Sequence, residues 1–131
     1  MVSETTDEVT VSAFGSYQAE YSVPTRRQYV YAYRIQIENK SLRPVQLLSR
    51  AWKVISGTGE KRLVEGEGVV GQQPVILPGH SHEYTSWVQF ETPIGAMEGS
   101  YVMKRSDRWG SGEFFEVKVP KFLLIAPEVL N

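Results

Sequence analysis

Hydrophobic and polar positions alternate with a period of two along much of the chain. Val9, Val11 and Ala13 alternate with Thr10 and Ser12. Tyr29, Tyr31, Tyr33, Ile35 and Ile37 alternate with Val30, Ala32, Arg34, Gln36 and Glu38. A pleated strand sends successive side chains to opposite faces, so the second run predicts a strand with one buried and one largely wet side. Further strand segments are Pro44–Ile55, Arg62–Glu65, His82–Glu91, Gly99–Arg105, Glu113–Val119 and Phe122–Ile125, all rich in Tyr, Val, Ile, Phe and Trp. Turn signals separate them: "ENKSLRP", "SGTGE", "LPGH", "TPIGAMEG" and "RWGSGE". No extended segment carries a 3.6-residue apolar period. The pattern predicts an all-β, immunoglobulin- or fibronectin type III-like sandwich of about seven or eight strands.

A length of 131 residues and a mass of 14.8 kDa fit one domain over 1–131 with one core. The opening "MVSETTDEVTV" shows no burial pattern at its start, and roughly the first seven residues are expected to fray. Fourteen Lys and Arg against 15 Asp and Glu leave a net charge of −1, so neither nucleic acid nor a membrane surface is an expected partner. Cysteine is absent, which removes disulfides, thiolate catalysis and sulfur-ligated zinc. The N-terminus has no basic and apolar signal pattern, and no apolar run approaches the ~20 residues of a membrane span; a cytoplasmic home is expected.

The stretch "VEGEGVVGQQP" contains Gly66, Gly68 and Gly71 in the spacing G-x-G-x-x-G. In a dinucleotide-binding fold these glycines follow a strand and open a helix whose N-terminus faces the pyrophosphate. Here "RLVE" can supply the strand, but "QQPVILPGH" follows, and Pro74 and Pro78 forbid a useful helix. Two roles remain open for the glycines. They suit a bulged strand or an irregular crossover between sheets, where positive φ or close backbone approach is needed. The alternative is an anion-binding nest of successive backbone N–H groups, which needs no helix.

These residues and their neighbours resemble the ApaG family. The matching stretches are "YVYAYRIQIEN", "VQLLSRAWKV", "VEGEGVVGQQPVILPG", "YTS", "TPIGAMEGSYVM" and "FEVKVPKFLL", in the family's order and covering most of the chain. The resemblance implies a fibronectin type III-like sandwich and a G-x-G-x-x-G motif without a Rossmann fold. Related domains occur in F-box proteins and in a DNA polymerase delta-interacting protein, where they look like protein-binding modules. Bacterial members are linked to cobalt tolerance and magnesium efflux, and their genes neighbour a diadenosine tetraphosphate hydrolase. Members usually carry His in "SRHW", where this chain has Ala51, so no role for that histidine transfers. They also tend to have Gly after "YTS", where this chain has Trp87.

Against that background the candidate chemistry is sparse. His80 and His82 stand at i, i+2 and would share a strand face, but Glu83 points to the other face and a strong metal site needs three or four ligands. Solvated histidines after a turn are the expected outcome. A Ser–His–Asp set would have to recruit Asp107 from a separate loop, so no catalytic residues and no cofactor are expected. Arg26, Arg27, Lys104, Arg105 and Arg108 lie near Tyr29 and Trp109 and are expected to form a solvated rim, or, if they converge in space, to hold a phosphate or pyrophosphate. Arg50 is the arginine that could complete a phosphate site with the glycine loop; the alternative is an internal ion pair with Glu65 or Glu67.

Aromatic residues carry the strongest binding signal, because Tyr and Trp dominate protein interfaces. Trp87 is out of phase with Tyr84, Ser86, Val88 and Phe90, and Trp109 sits in a hairpin tip. Both are expected to contact a protein partner, and an exposed sheet edge is a further route, including to a homodimer. The reading is therefore a non-catalytic interaction module. The alternative is a small-ligand sensor for phosphate, pyrophosphate or a dinucleoside polyphosphate at the glycine loop.

Overall fold

The computed structural model describes residues 1–107 and 111–130. Nine strands form among them: β1 (Val2–Thr6), β2 (Val9–Tyr17), β3 (Tyr29–Asn39), β4 (Val45–Ser56), β5 (Lys61–Glu67), β6 (Val75–Ile76), β7 (Ser81–Phe90), β8 (Ile94–Ser106) and β9 (Gly112–Ile125). One antiparallel sheet runs β1-β2-β3-β7; the other runs β5-β4-β8-β9, with the short β6 also paired to β4. The two sheets make the expected β-sandwich.

Alternation sets the core. Tyr31, Ile35 and Ile37 of β3 and Val9 and Val11 of β2 are fully buried, facing Tyr101, Met103, Val117 and Leu124 of the other sheet. Trp52 lies at the centre, edge-on to Tyr33 at 5.6 Å, Tyr101 at 6.3 Å and Phe122 at 6.1 Å between centroids. Edge-to-face aromatic pairs of this kind add to the area they bury.

Three departures from the sequence expectation have physical causes. The first residues, expected to fray, form a strand: β1 pairs with β2 from Val2↔Ala13 to Thr6↔Val9. Its side chains are mostly exposed, and it is held by the ladder and by hydroxyl pairs, Ser3–Ser12 and Thr5–Thr10, each at 2.8 Å. Hydropathy carries no trace of such a strand. Asp7 and Glu8 close the hairpin with φ of 46° and 66°, the positive values a two-residue hairpin turn demands.

The segments at 113–119 and 122–125 are one strand, β9. The register jumps from Gly99↔Val119 to Met97↔Phe122, so Pro120 and Lys121 together oppose Glu98. A proline inside such a bulge forfeits no ladder hydrogen bond.

A second bulge lies in β4, where Leu47 pairs with Met103 but Ser49 pairs with Val102, leaving Leu48 as the extra residue. It reverses the phase of the strand. Val45 and Leu47 face inward before it, Trp52 and Val54 after it. Arg50 is thereby turned toward the interior, and Ser49 and Ala51 toward solvent.

Candidate functional site: the glycine loop and the face of β7

Each glycine of the motif answers to a different constraint. Gly66 pairs with Arg50 across the β4–β5 ladder. A Cβ on Gly66 would lie 2.8 Å from Arg50 Nη1 and 3.0 Å from its Cζ, so the guanidinium occupies the space a side chain would need. Gly68 has φ +65°, and a Cβ there would also fall on the Gln72 carbonyl oxygen. Gly71 has φ +75° with open space around it, so its requirement is conformational alone. Val69 and Gln72 exchange backbone hydrogen bonds of 2.8 and 3.0 Å around Val70 and Gly71, closing a tight turn. Val70 itself has φ 48°, an uncommon conformation for a β-branched residue.

Arg50 does not pair with Glu65 or Glu67. The register sends Glu65 outward beside Ala51 and Glu67 outward beside Ser49, whereas Arg50 and Gly66 share the inner face with Tyr101. Arg50 Nη1 instead donates to the carbonyl oxygens of Glu67 (3.1 Å) and Gly68 (2.9 Å). The loop amides turn the other way: Gly68 N–H donates to Leu48 O at 2.8 Å and Val69 N–H to Gln72 O. The loop thus cradles a cation of its own chain with carbonyl dipoles. The Leu48 bulge supplies both the inward Arg50 and the carbonyl that anchors Gly68, which Gln73 Nε2 also reaches at 2.9 Å.

Beside Arg50 the Tyr84 and Tyr101 hydroxyls share a short hydrogen bond between the sheets. Burial pushes the Tyr84 hydroxyl up from the ordinary tyrosine range; the Tyr101 bond and the Arg50 charge oppose that rise. Burial likewise holds Tyr101 well above it. Tyr31, whose hydroxyl donates to Pro93 O at 3.0 Å, is pushed up to about 12, chiefly by burial.

His80 precedes β7 and is exposed. His82, half-buried, faces inward opposite Ile37 with its ring 6.4 Å from that of Tyr84. Glu83 faces outward, as expected, and forms an ion pair with Arg34 at 2.6 Å. Among the described residues no group of three or more His, Asp or Glu is arranged to hold a metal ion.

Trp87 projects from the outer face of β7 and is 53% exposed. Tyr21, from the short 3-10 turn Ala19–Tyr21, packs edge-on against it with centroids 5.3 Å apart. Phe14 stands half-exposed on the same face, diagonally across β3, since it pairs with Arg34 while Trp87 pairs with Ala32. Trp109 and Arg108 lie outside the described residues.

Arg26 and Arg27 are exposed, but Tyr29 is in the core, and Arg105 departs from the expected solvated rim. Arg105 is 8% exposed, bonds to the Asp7 carbonyl and lies 4.4 Å from the Phe115 ring centroid. It staples the β1–β2 turn to the β8–β9 hairpin. Sequence reasoning also passed over Asn39, a fully buried hub. Its amide donates to Arg43 O and Ile76 O, and its Oδ1 accepts from Ser41 N–H and Oγ–H. An Asn ending an apolar run just before a turn is the only signal it leaves.

Comparison with known proteins places this geometry in context. The ApaG domain family matches residues 19–105. Protein ApaG of Rhodospirillum centenum is 45% identical over 127 residues, covering 97% of this chain and 95% of that one. Protein ApaG of Pseudomonas aeruginosa is 41% identical over 130 residues, covering 99% and 100%. Among solved structures, the ApaA protein of Bordetella pertussis aligns with a TM-score of 0.84 at 42% identity, covering 91% of this chain and 94% of that one. A family match over most of the domain, near-complete alignment with its members and a shared fold lead to one assignment: this chain belongs to the ApaG family.

Proposed function

We propose that this chain is a non-catalytic, cytoplasmic protein-binding module that meets its partner through the outer face and edge of β7. The observation that carries the reading is Trp87, half-exposed beside Tyr21 at 61% and Phe14 at 51% exposure. A large aromatic group on a solvent face buries much area at small entropic cost when a partner covers it, which is why such residues anchor interfaces. The cobalt and magnesium link implied by the family resemblance then acts through that partner.

The glycine loop gives less support to a phosphate sensor. An incoming phosphate would have to displace Arg50 from two carbonyl oxygens and the Gly68 and Val69 amides from their own acceptors. Each displaced group loses a bond worth about 1 kcal/mol or more.

Photo-crosslinking tests the proposal. A benzoylphenylalanine at Phe14 should give discrete protein adducts in cells, lost on Trp87→Ser. The same probe at Leu63, exposed on the opposite sheet, should give none. Absence of adducts at Phe14, or equal adducts at both sites, would overturn it. Saturable amide shifts at Gly66–Gly71 on titrating pyrophosphate would favour the sensor instead.

A further inference from the structure

The two long sides of the sandwich differ. On one, β1 and β2 lie against β9: Gly15 packs on Leu124, and Lys118 N–H donates to Thr6 Oγ1 at 3.3 Å. On the other, β5 ends one sheet and β7 ends the other, and neither has a further neighbour among the described residues. An open seam runs between them.

The two free edges are guarded unequally. In its seven residues β5 carries Lys61, Arg62, Glu65 and Glu67, charges that discourage pairing with another strand. In its ten residues β7 carries only His82 and Glu83, and Glu83 is engaged by Arg34. A ten-residue edge with so little charge is an available template.

The register defines what an added strand would meet. Arg62 shares the inner face with Val54, Val64 with Trp52, and Gly66 with Arg50. From β7, His82, Tyr84 and Ser86 face inward yet remain half-buried, because the opposite sheet does not fully cover them. The cationic groups on this inward surface are Arg50 and Arg62, with His82 beside them. The carboxylates of both edges, Glu65, Glu67 and Glu83, face outward. Arg62 is exposed and has no ion pair among the described residues.

Where the seam ends, a cleft of about 460 Å³ opens between Arg62 and Val54 on one side and Gln89 and Phe90 on the other. Glu60 and Glu91, which flank the strands, also line it. Lys61 and Arg62 line the same cleft, so it holds two cations against these two carboxylates.

We infer that the free edge of β7 receives an extended segment of a partner protein whose alternate side chains are acidic. The inference rests on the protein-binding reading above and specifies its chemistry. Main-chain hydrogen bonds to β7 supply the affinity common to strand addition, and alternate side chains supply the specificity. An inward acidic group would meet Arg62, since Arg50 is held by the Glu67 and Gly68 carbonyls, and outward apolar groups would extend the face that Trp87 begins. Opposite charge at such a contact chooses the partner and rejects its charge-reversed counterpart.

The test uses the full chain and two capped ten-residue peptides, one alternating Glu with Val and Thr, the other with Lys in place of Glu. The Glu peptide should give saturable amide shifts and slowed hydrogen exchange along β7. The Lys peptide should bind at least about tenfold more weakly, and Arg62→Glu should reverse the preference. A Glu peptide methylated on the alternate amides that pair should not bind. Equal binding of the Glu and Lys peptides, shifts centred on another surface, or no binding by either would overturn the inference. If crosslinks at Phe14 persist while no peptide engages β7, strand addition falls and the protein-binding reading stands. If the crosslinks are also absent, both fall.

Discussion

Gly66 and Arg50 face each other across the β4–β5 ladder, and the guanidinium of one fills the place of the other's missing side chain. The glycine is therefore required by the arginine. Gly66→Ala should destabilise the fold by roughly 1–3 kcal/mol, as overpacking does. In an Arg50→Ala background the same substitution should cost far less. Chemical denaturation of the four proteins closes the cycle, and simple additivity would refute the coupling.

Val70 invites a stabilising change. Its φ of 48° and the +75° of Gly71 suit Asn-Gly, the pair most favoured in a tight two-residue hairpin turn. Val70 is 64% exposed, so replacing it sacrifices little packing. Val70→Asn should raise stability by about 0.5–1 kcal/mol, seen as a higher melting temperature. Gly68→Ala should move it the other way, and further than Gly71→Ala, because only at Gly68 does a Cβ also meet backbone.

These positions show where the sequence is readable. The period-two runs mark β2 and β3 and their buried tyrosines, because burial of one face leaves its imprint on residue type. The half-exposure of Trp87 is legible from its being out of phase with Val88 and Phe90. The inward turn of Arg50 is not legible, since it depends on a bulge between adjacent leucines that local alternation cannot locate. The same blindness left Glu65 and Glu67 standing as alternative partners for it. The β5–β7 seam lies further out of reach, for it follows from which strands end each sheet.

Divalent metals should leave stability unchanged. His80 lies outside β7, His82 faces inward beside Tyr84, and no described carboxylate group completes a site with them. Micromolar Co²⁺ or Zn²⁺ should not shift the melting temperature, whereas a native-state ligand at 100 times its Kd would add about 2.7 kcal/mol. A shift abolished by His82→Ala would assign these histidines a metal.

The tyrosine pair makes stability depend on alkaline pH. Tyr84 and Tyr101 have hydroxyls held above the tyrosine range by burial, and that of Tyr31 is pushed up to about 12. In the unfolded chain tyrosine loses its proton near pH 10, while these three keep theirs in the fold. The unfolded state therefore binds fewer protons above that pH, and stability falls as pH rises from about 10 toward 12. Denaturation midpoints should be flat from about pH 7 to 9 and drop beyond about 10. Tyr84→Phe alone leaves the Tyr101 hydroxyl without its partner and should cost about 1–3 kcal/mol at neutral pH. Tyr84→Phe with Tyr101→Phe removes both polar groups, should cost less than either single change, and should soften the alkaline decline. An unaltered decline in the double variant would place its origin elsewhere.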